Sequence, residues 1–252
     1  MAAKDALGRP IGTKTFIPLE NNPEVFTSLV HELGLSPKLR FFDVYSLDDP
    51  DLLAMVPRPA QALIFITPAP MYYAVRKEDG HKEVKNASEL TYNKSGDQEP
   101  VVWYLQTINH ACGLIALLHA ASNGDVRQSV DKGSILGRLI ESAVPLEPGP
   151  RADLLYNSEE LEKAHMNAAR TGDSAAPQAE DPCGYHFLAF VRGKDGHLWE
   201  LEGGSDGPID RGSLPEGSDM LSAEALDLGV KRFLKFSEGN LEFSIIALSE
   251  SE

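Results

Sequence analysis

The sequence predicts one α+β domain, and three observations carry that prediction. The chain has 252 residues, enough for a single large core without a second domain, so one domain spanning 1–252 is expected. Helical and strand patterns mix from the beginning, without the alternation of a parallel βαβ fold or the evenly spaced short strands of a sandwich. No segment repeats at a fixed period. Hydrophobic residues at 42% and charged residues at 24% are the proportions of a globular protein.

Asn22-Pro23-Glu24 reads as a helix N-cap, a proline at the first helical position and an acid facing the helix dipole. Val25, Phe26, Leu29, Val30 and Leu33 follow at helical spacing, and Gly34 ends the helix. Phe41 to Tyr45 has strand composition, Asp51 to Val56 predicts a short helix, and Pro57 and Pro59 set off Gln61 to Thr67 as a buried strand. From about 73 to 100 the chain turns polar around Gly80, Asn86, Asn93 and Gly96, which predicts an irregular surface excursion without chemistry.

Cys112 to Ala121 is apolar and alanine-rich, the pattern of a buried central helix. Helical patterns recur at 134–143, 151–157 and 158–170. Thr171 to Gly184 is made of small, polar and helix-breaking residues and predicts a flexible loop. Tyr185 to Val191 and His197 to Leu201 then form a hairpin, followed by a helix over 223–236 and a last strand over 241–248.

Lys and Arg number 23 against 38 Asp and Glu, a formal charge of −15 that repels nucleic acid and anionic lipid and favours a basic protein partner. The apolar stretch around Ala60 to Thr67 falls far short of the roughly 20 residues of a membrane span. The first residues lack the apolar core of a secretory signal, which points to the cytoplasm. Two cysteines, Cys112 and Cys183, fit a reducing compartment, where a thiol either fills a core or works.

Cys112 stands where a polar stretch gives way to the apolar helix. A sulfur at a helix N-terminus meets unpaired amides and the positive dipole end, which favour the thiolate. A buried structural cysteine is the commoner role for such a residue. Gln106, six residues earlier, carries an amide able to donate to a developing oxyanion, although a lone glutamine is usually a surface residue. His186 opens the strand after the flexible loop and suits a general base, but it is one of seven histidines. Glu202, at the far end of the next strand, is the carboxylate that would hold its imidazole, with Asp195 and Glu200 as alternatives. No CxxC, HExxH or phosphate-binding glycine loop occurs, so neither a metal nor a cofactor is expected.

Several segments resemble the ubiquitin carboxyl-terminal hydrolases, a family of papain-like cysteine peptidases. They are PLENNPEV at 18–25, FFDVYSLDDPDLLAMVPRP at 41–59, QTINHACG at 106–113, HFLAF at 186–190 and DGHLWELEG at 195–203. The blocks fall in family order and span nearly the whole chain. The resemblance implies a central antiparallel sheet flanked by helices and a loop, here 171–184, crossing over the active site. It implies Cys112 as nucleophile, His186 as base, Gln106 as oxyanion donor and Glu202 as orienting acid. The implied activity is cofactor-free hydrolysis that frees small or unstructured adducts from the C-terminal glycine of ubiquitin or a ubiquitin-like modifier, by a monomer. Glu20, Glu24 and Asp43 match the acidic positions that similar enzymes turn toward the basic modifier. The chain departs from the family in having Glu202 where Asp is usual and His110 where Asn is usual. The alternative is a ubiquitin-binding protein of the same fold with little or no turnover, and a general papain-like protease is disfavoured by the loop.

Overall fold

The computed structural model describes residues 14–80, 90–174 and 184–251. A six-stranded antiparallel sheet runs through the molecule in the order β1-β6-β2-β3-β4-β5. Its strands are β1 Leu39–Asp43, β2 Ala60–Pro68, β3 Tyr185–Arg192, β4 His197–Leu201, β5 Ile209–Ser213 and β6 Ser244–Glu250. Around it the described residues form α1 Pro23–Leu33, α2 Pro50–Leu53, α3 Ala69–Glu78, α4 Cys112–Ser122, α5 Ile135–Ala143, α6 Pro148–Tyr156, α7 Glu159–Ala168, α8 Ala223–Leu228 and α9 Val230–Leu234.

Alternate residues of the central strands enter two different cores, because successive side chains of a strand point to opposite faces. Ala62 and Ile64 of β2, with Phe187 and Ala189 of β3, pack with α1, α4, α5, α6 and α7. Leu63, Phe65, Leu188 and Phe190 pack on the other face with α3, α8 and α9. Helices on both faces explain why these strands read as continuous apolar runs rather than as alternation. The mixed α+β fold expected from the pattern is the one observed.

Local signals place the first helix well. The Asn22 carboxamide oxygen accepts from the Glu24 and Val25 amides at 2.9 and 3.4 Å, and Gly34 closes the helix at φ 111°. A Cβ on Gly34 would also lie 2.0 Å from that of Ser134, so close approach as well as backbone conformation demands glycine there. α4 is buried from Gly113 through Ser122, and its His119 takes up a polar role inside the core by accepting from the Tyr104 amide at 2.9 Å. Burial keeps that imidazole neutral, its pKa pushed down to about 3.

Three expectations need correction, and one strand was not foreseen. The supposed surface excursion begins instead as α3, with Pro70 in its first turn and Met71, Tyr72 and Val75 buried; residues 81–89 of the excursion lie outside the described residues. Tyr92 and Glu99 are buried too, the latter paired with Arg151, so the later part of this segment is not a solvated surface. The helix expected over 223–236 divides at Gly229 into α8 and α9. β5, which the composition of IDRGS does not announce, exists because it pairs with β4.

Candidate active site

Cys112 is the first residue of α4 and is half-buried. The N-cap is Ala111, whose side chain makes no cap hydrogen bond to the first turn. His110, just before it, adopts φ 58°. This left-handed conformation is uncommon for most side chains but several-fold enriched for Asn, Asp and His. The position that is usually Asn in the family therefore accepts His for a backbone reason.

The strand-like segment entering α4 is tied to the residues after β4. The Trp103 indole donates to the Glu202 carbonyl at 3.0 Å, and the Gln106 amide donates to the Gly203 carbonyl at 2.8 Å. A Cβ on Gly203 would lie 2.8 Å from both Gln106 Cβ and Ile115 Cγ2, so glycine permits the two chains to touch. Ile115 is three residues into α4, and the contact brings Glu202 and Gln106 to the same end of the helix as Cys112. The Gln106 carboxamide nitrogen donates to the Ile108 carbonyl at 3.0 Å, which orients the group and leaves its second hydrogen for another acceptor.

His186 is the second residue of β3, paired with Thr67 of β2, and its side chain is 24% exposed. Its Nδ1 lies 4.0 Å from Glu202 Oε1, a separation longer than a hydrogen bond. Glu202 is buried. Its Oε1 also accepts from the Gly204 amide at 2.9 Å, while Oε2 accepts from the Tyr72 hydroxyl at 2.9 Å and the Ser205 hydroxyl at 3.1 Å. Burial by itself would raise the carboxyl pKa; the neighbouring His186, the Gly204 amide and Tyr72 outweigh it and bring the value down to about 2.

The two alternative carboxylates are engaged elsewhere. Asp195 accepts from the Trp199 indole and the His197 amide, both at 3.1 Å. Glu200 pairs with Arg76 and with Arg211, whose Nε donates to it at 2.8 Å. Neither is recorded against His186.

Of the acidic groups expected to face a basic partner, Glu24 is exposed and Asp43 is half-buried, accepting from the Tyr45 hydroxyl at 3.3 Å. Glu20 already holds the beginning of the 171–184 segment. It accepts from the Ser174 amide at 2.9 Å, from the Ser174 hydroxyl and from the Asp173 amide at 3.4 Å. These contacts lower its pKa, with the Ser174 hydroxyl the largest cause. Residues 175–183 of that segment, Cys183 among them, lie outside the described residues.

Sequence reasoning missed Tyr72 and Ser205. The helical pattern of Met71, Tyr72 and Val75 behind Pro70 was the available signal for the first; nothing local marked the second. Among the described residues no group of three or more His, Cys, Asp or Glu could hold a metal, and no helix is long and apolar enough to cross a membrane.

Residues 16–235 match the family described as ubiquitin carboxyl-terminal hydrolase, family 1. Ubiquitin carboxyl-terminal hydrolase 3 of Arabidopsis thaliana is 33% identical over 239 residues, covering 94% of this chain and 95% of that one. A ubiquitin carboxyl-terminal hydrolase of Aplysia californica is 34% identical over 220 residues, covering 87% and 94%. The fold is similar to that of the Trichinella spiralis UCH37 catalytic domain bound to ubiquitin vinyl methyl ester, with a TM-score of 0.68, 20% identity and coverage of 94% and 96%.

Proposed function

We propose, from the premise that this chain belongs to family 1 of the ubiquitin carboxyl-terminal hydrolases and is therefore a thiol-dependent deubiquitinating hydrolase, that Cys112 is its nucleophile and His186 its general base. Glu202 orients and charge-balances His186, and Gln106 donates to the oxyanion. The observation that carries the reading is the buried Glu202 carboxylate, which turns Oε1 toward His186 Nδ1 at 4.0 Å. A carboxylate on Nδ1 favours the tautomer that leaves Nε2 to accept a proton.

In this scheme His186 takes the Cys112 thiol proton, and the thiolate attacks the carbonyl carbon of the C-terminal glycine of ubiquitin or a close modifier. The carbonyl oxygen becomes an oxyanion facing the Gln106 side-chain amide at the start of α4. The imidazolium protonates the leaving nitrogen as the C–N bond breaks, and a thioester remains. Water then gives a proton to His186 and attacks the thioester; the C–S bond breaks, the imidazolium proton passes to the Cys112 sulfur, and the carboxylic acid leaves and ionises into solvent. Every proton taken up is returned, and no cofactor enters.

The substrate class follows the same reading. Glu24 and Asp43 offer acid to a basic protein face, and the net charge of −15 steers such a partner. The 171–184 segment, anchored at its start on Glu20, restricts passage to small or unstructured adducts. The protein acts as a monomer of one domain over 1–252, in the cytoplasm.

A ubiquitin propargylamide probe tests the assignment. It should form one covalent adduct that mass spectrometry maps to Cys112, and Cys112→Ala should lose the adduct and all hydrolysis while still binding ubiquitin. Labelling at Cys183 instead, or turnover surviving in Cys112→Ala, would overturn it.

A further inference from the structure

The His186 ring lies flat against Tyr72, with centroids 4.0 Å apart and planes 11° from parallel. The hydroxyl of the same tyrosine donates to Glu202 Oε2 at 2.9 Å. One side chain of α3 thus touches both members of the His186–Glu202 pair. We propose that Tyr72 is a positioning residue of the active site, setting the plane of the His186 imidazole and the rotation of the Glu202 carboxylate; this rests on the catalytic reading above.

A glutamate has one more rotatable bond than the aspartate usual in the family, and a misplaced carboxylate loses its hold on the imidazole. In this chain Oε2 is held by Tyr72 and, at 3.1 Å, by Ser205, whose hydroxyl is 3.3 Å from that of Tyr72. Oε1 is held by the Gly204 amide. With three donors around it the longer side chain has one orientation, and that orientation turns Oε1 to His186. Burial, and then the negative charge of Glu202, push the Tyr72 phenol far above its ordinary pKa, so the hydroxyl remains a donor throughout the working pH range.

The tyrosine is itself held. The Arg76 guanidinium lies 5.0 Å from its ring centroid, and Tyr73 meets it edge-on at 5.3 Å with planes 72° apart. A parallel aromatic neighbour restricts rotation of the imidazole about its long axis and tolerates its positive charge, since the ring face is electron-rich. Tyr72 is also part of the apolar core beside α9. A role in packing alone would lower stability without separating kcat from KM.

The test uses the full chain and a ubiquitin–aminocoumarin substrate, with active sites counted by the propargylamide probe so that rates refer to folded enzyme. Tyr72→Phe keeps the ring and removes the donor; kcat should fall about tenfold with KM changed less than twofold. Tyr72→Leu removes the stack as well and should cost about a hundredfold. Ser205→Ala, which withdraws the other donor from the same oxygen, should cost about threefold. In a Glu202→Gln background Tyr72→Phe should cost less than twofold, because the two side chains act as one unit. Wild-type kcat in Tyr72→Phe beside a slow Glu202→Gln overturns the role of Tyr72 alone. An equal loss in both backgrounds does the same. Wild-type turnover in Glu202→Gln removes the assignment of Glu202, and Tyr72 falls with it.

Discussion

Glu200 and Glu202 lie two residues apart at the end of β4, both buried, both facing α3, and their surroundings differ in one respect. Tyr72 and Arg76 of α3 are four residues apart, a rise of about 6 Å. Two strand residues advance by about 6.6 Å, so the helix can present one side chain to each carboxylate. Arg76 meets Glu200, and Tyr72 meets Glu202. Around Glu200 the partners are permanent cations: Arg211 joins Arg76, and Asp79 and Arg232 extend the network at 2.7 Å contacts. Around Glu202 the fixed donors are neutral, namely a phenol, an alcohol and a backbone amide, and among the described residues its ionisable partner is His186. A permanent cation beside a carboxylate makes structure. In the proposed reaction the imidazole gains and loses a proton, and the carboxylate then serves a base, because its charge is compensated only when the imidazole is protonated.

The largest expected effect breaks that comparison at the functional end. Glu202→Gln should lower kcat/KM by about a thousandfold, about 4 kcal/mol of activation free energy, with little change in fluorogenic-substrate KM. Glu202→Asp should retain more activity than Gln. Wild-type rates in all three proteins would show that Glu202 is no more catalytic than Glu200.

The structural end should respond in the other currency. Glu200→Gln leaves Arg76 and Arg211 without their shared carboxylate and should destabilise the fold by about 3 kcal/mol in urea unfolding, while kcat per titrated active site stays within twofold. A dead but stable Glu200→Gln would reverse the two roles.

Acid sharpens the contrast. Because the Glu202 carboxyl is depressed from 4.5 to about 2 in the folded protein, its contribution is fully present above about pH 4.5 and disappears as the pH falls from there toward 2. That contribution is on the order of 3 kcal/mol, to be read as an upper bound since part of it is shared with His186. Unfolding curves between pH 5 and 2.5 should therefore be steeper in pH for the wild type than for Glu202→Gln. Equal slopes would mean that Glu202 gains no net stabilisation from its charge.

The smallest effect concerns a third carboxylate, Glu20, half-buried and held by neutral donors from the 171–184 segment. Glu20→Gln should raise KM about two- to fivefold and flatten the salt dependence of kcat/KM, since surface charge acts mainly through screened attraction. An unchanged KM with an unchanged salt slope would leave Glu20 only its local contacts with Ser174 and Asp173.

Local information was enough for much of this molecule. The caps of α1, the apolar run of α4, the β3–β4 hairpin and the placing of Cys112 at a helix start and His186 at a strand start are written in residues a few positions apart, because capping, turn chemistry and periodicity act over one or two turns of chain. The family blocks likewise carried the fold and the activity. The resemblance put Glu202 ahead of Glu200, but what surrounds each of the two glutamates at the end of β4 was beyond any local signal. The fold sets those surroundings through α3, a helix hidden among polar residues, whose Arg76 pairs with Glu200 and whose Tyr72 donates to Glu202. The same holds for β5, which is a strand only because β4 offers it hydrogen bonds, and for Gly229, which divides a helix inside the core shared with Phe190. Partners more than a hundred residues away in the chain, such as Tyr72 and Glu202, meet only through the packing of whole elements, and their charge and geometry are properties of that packing.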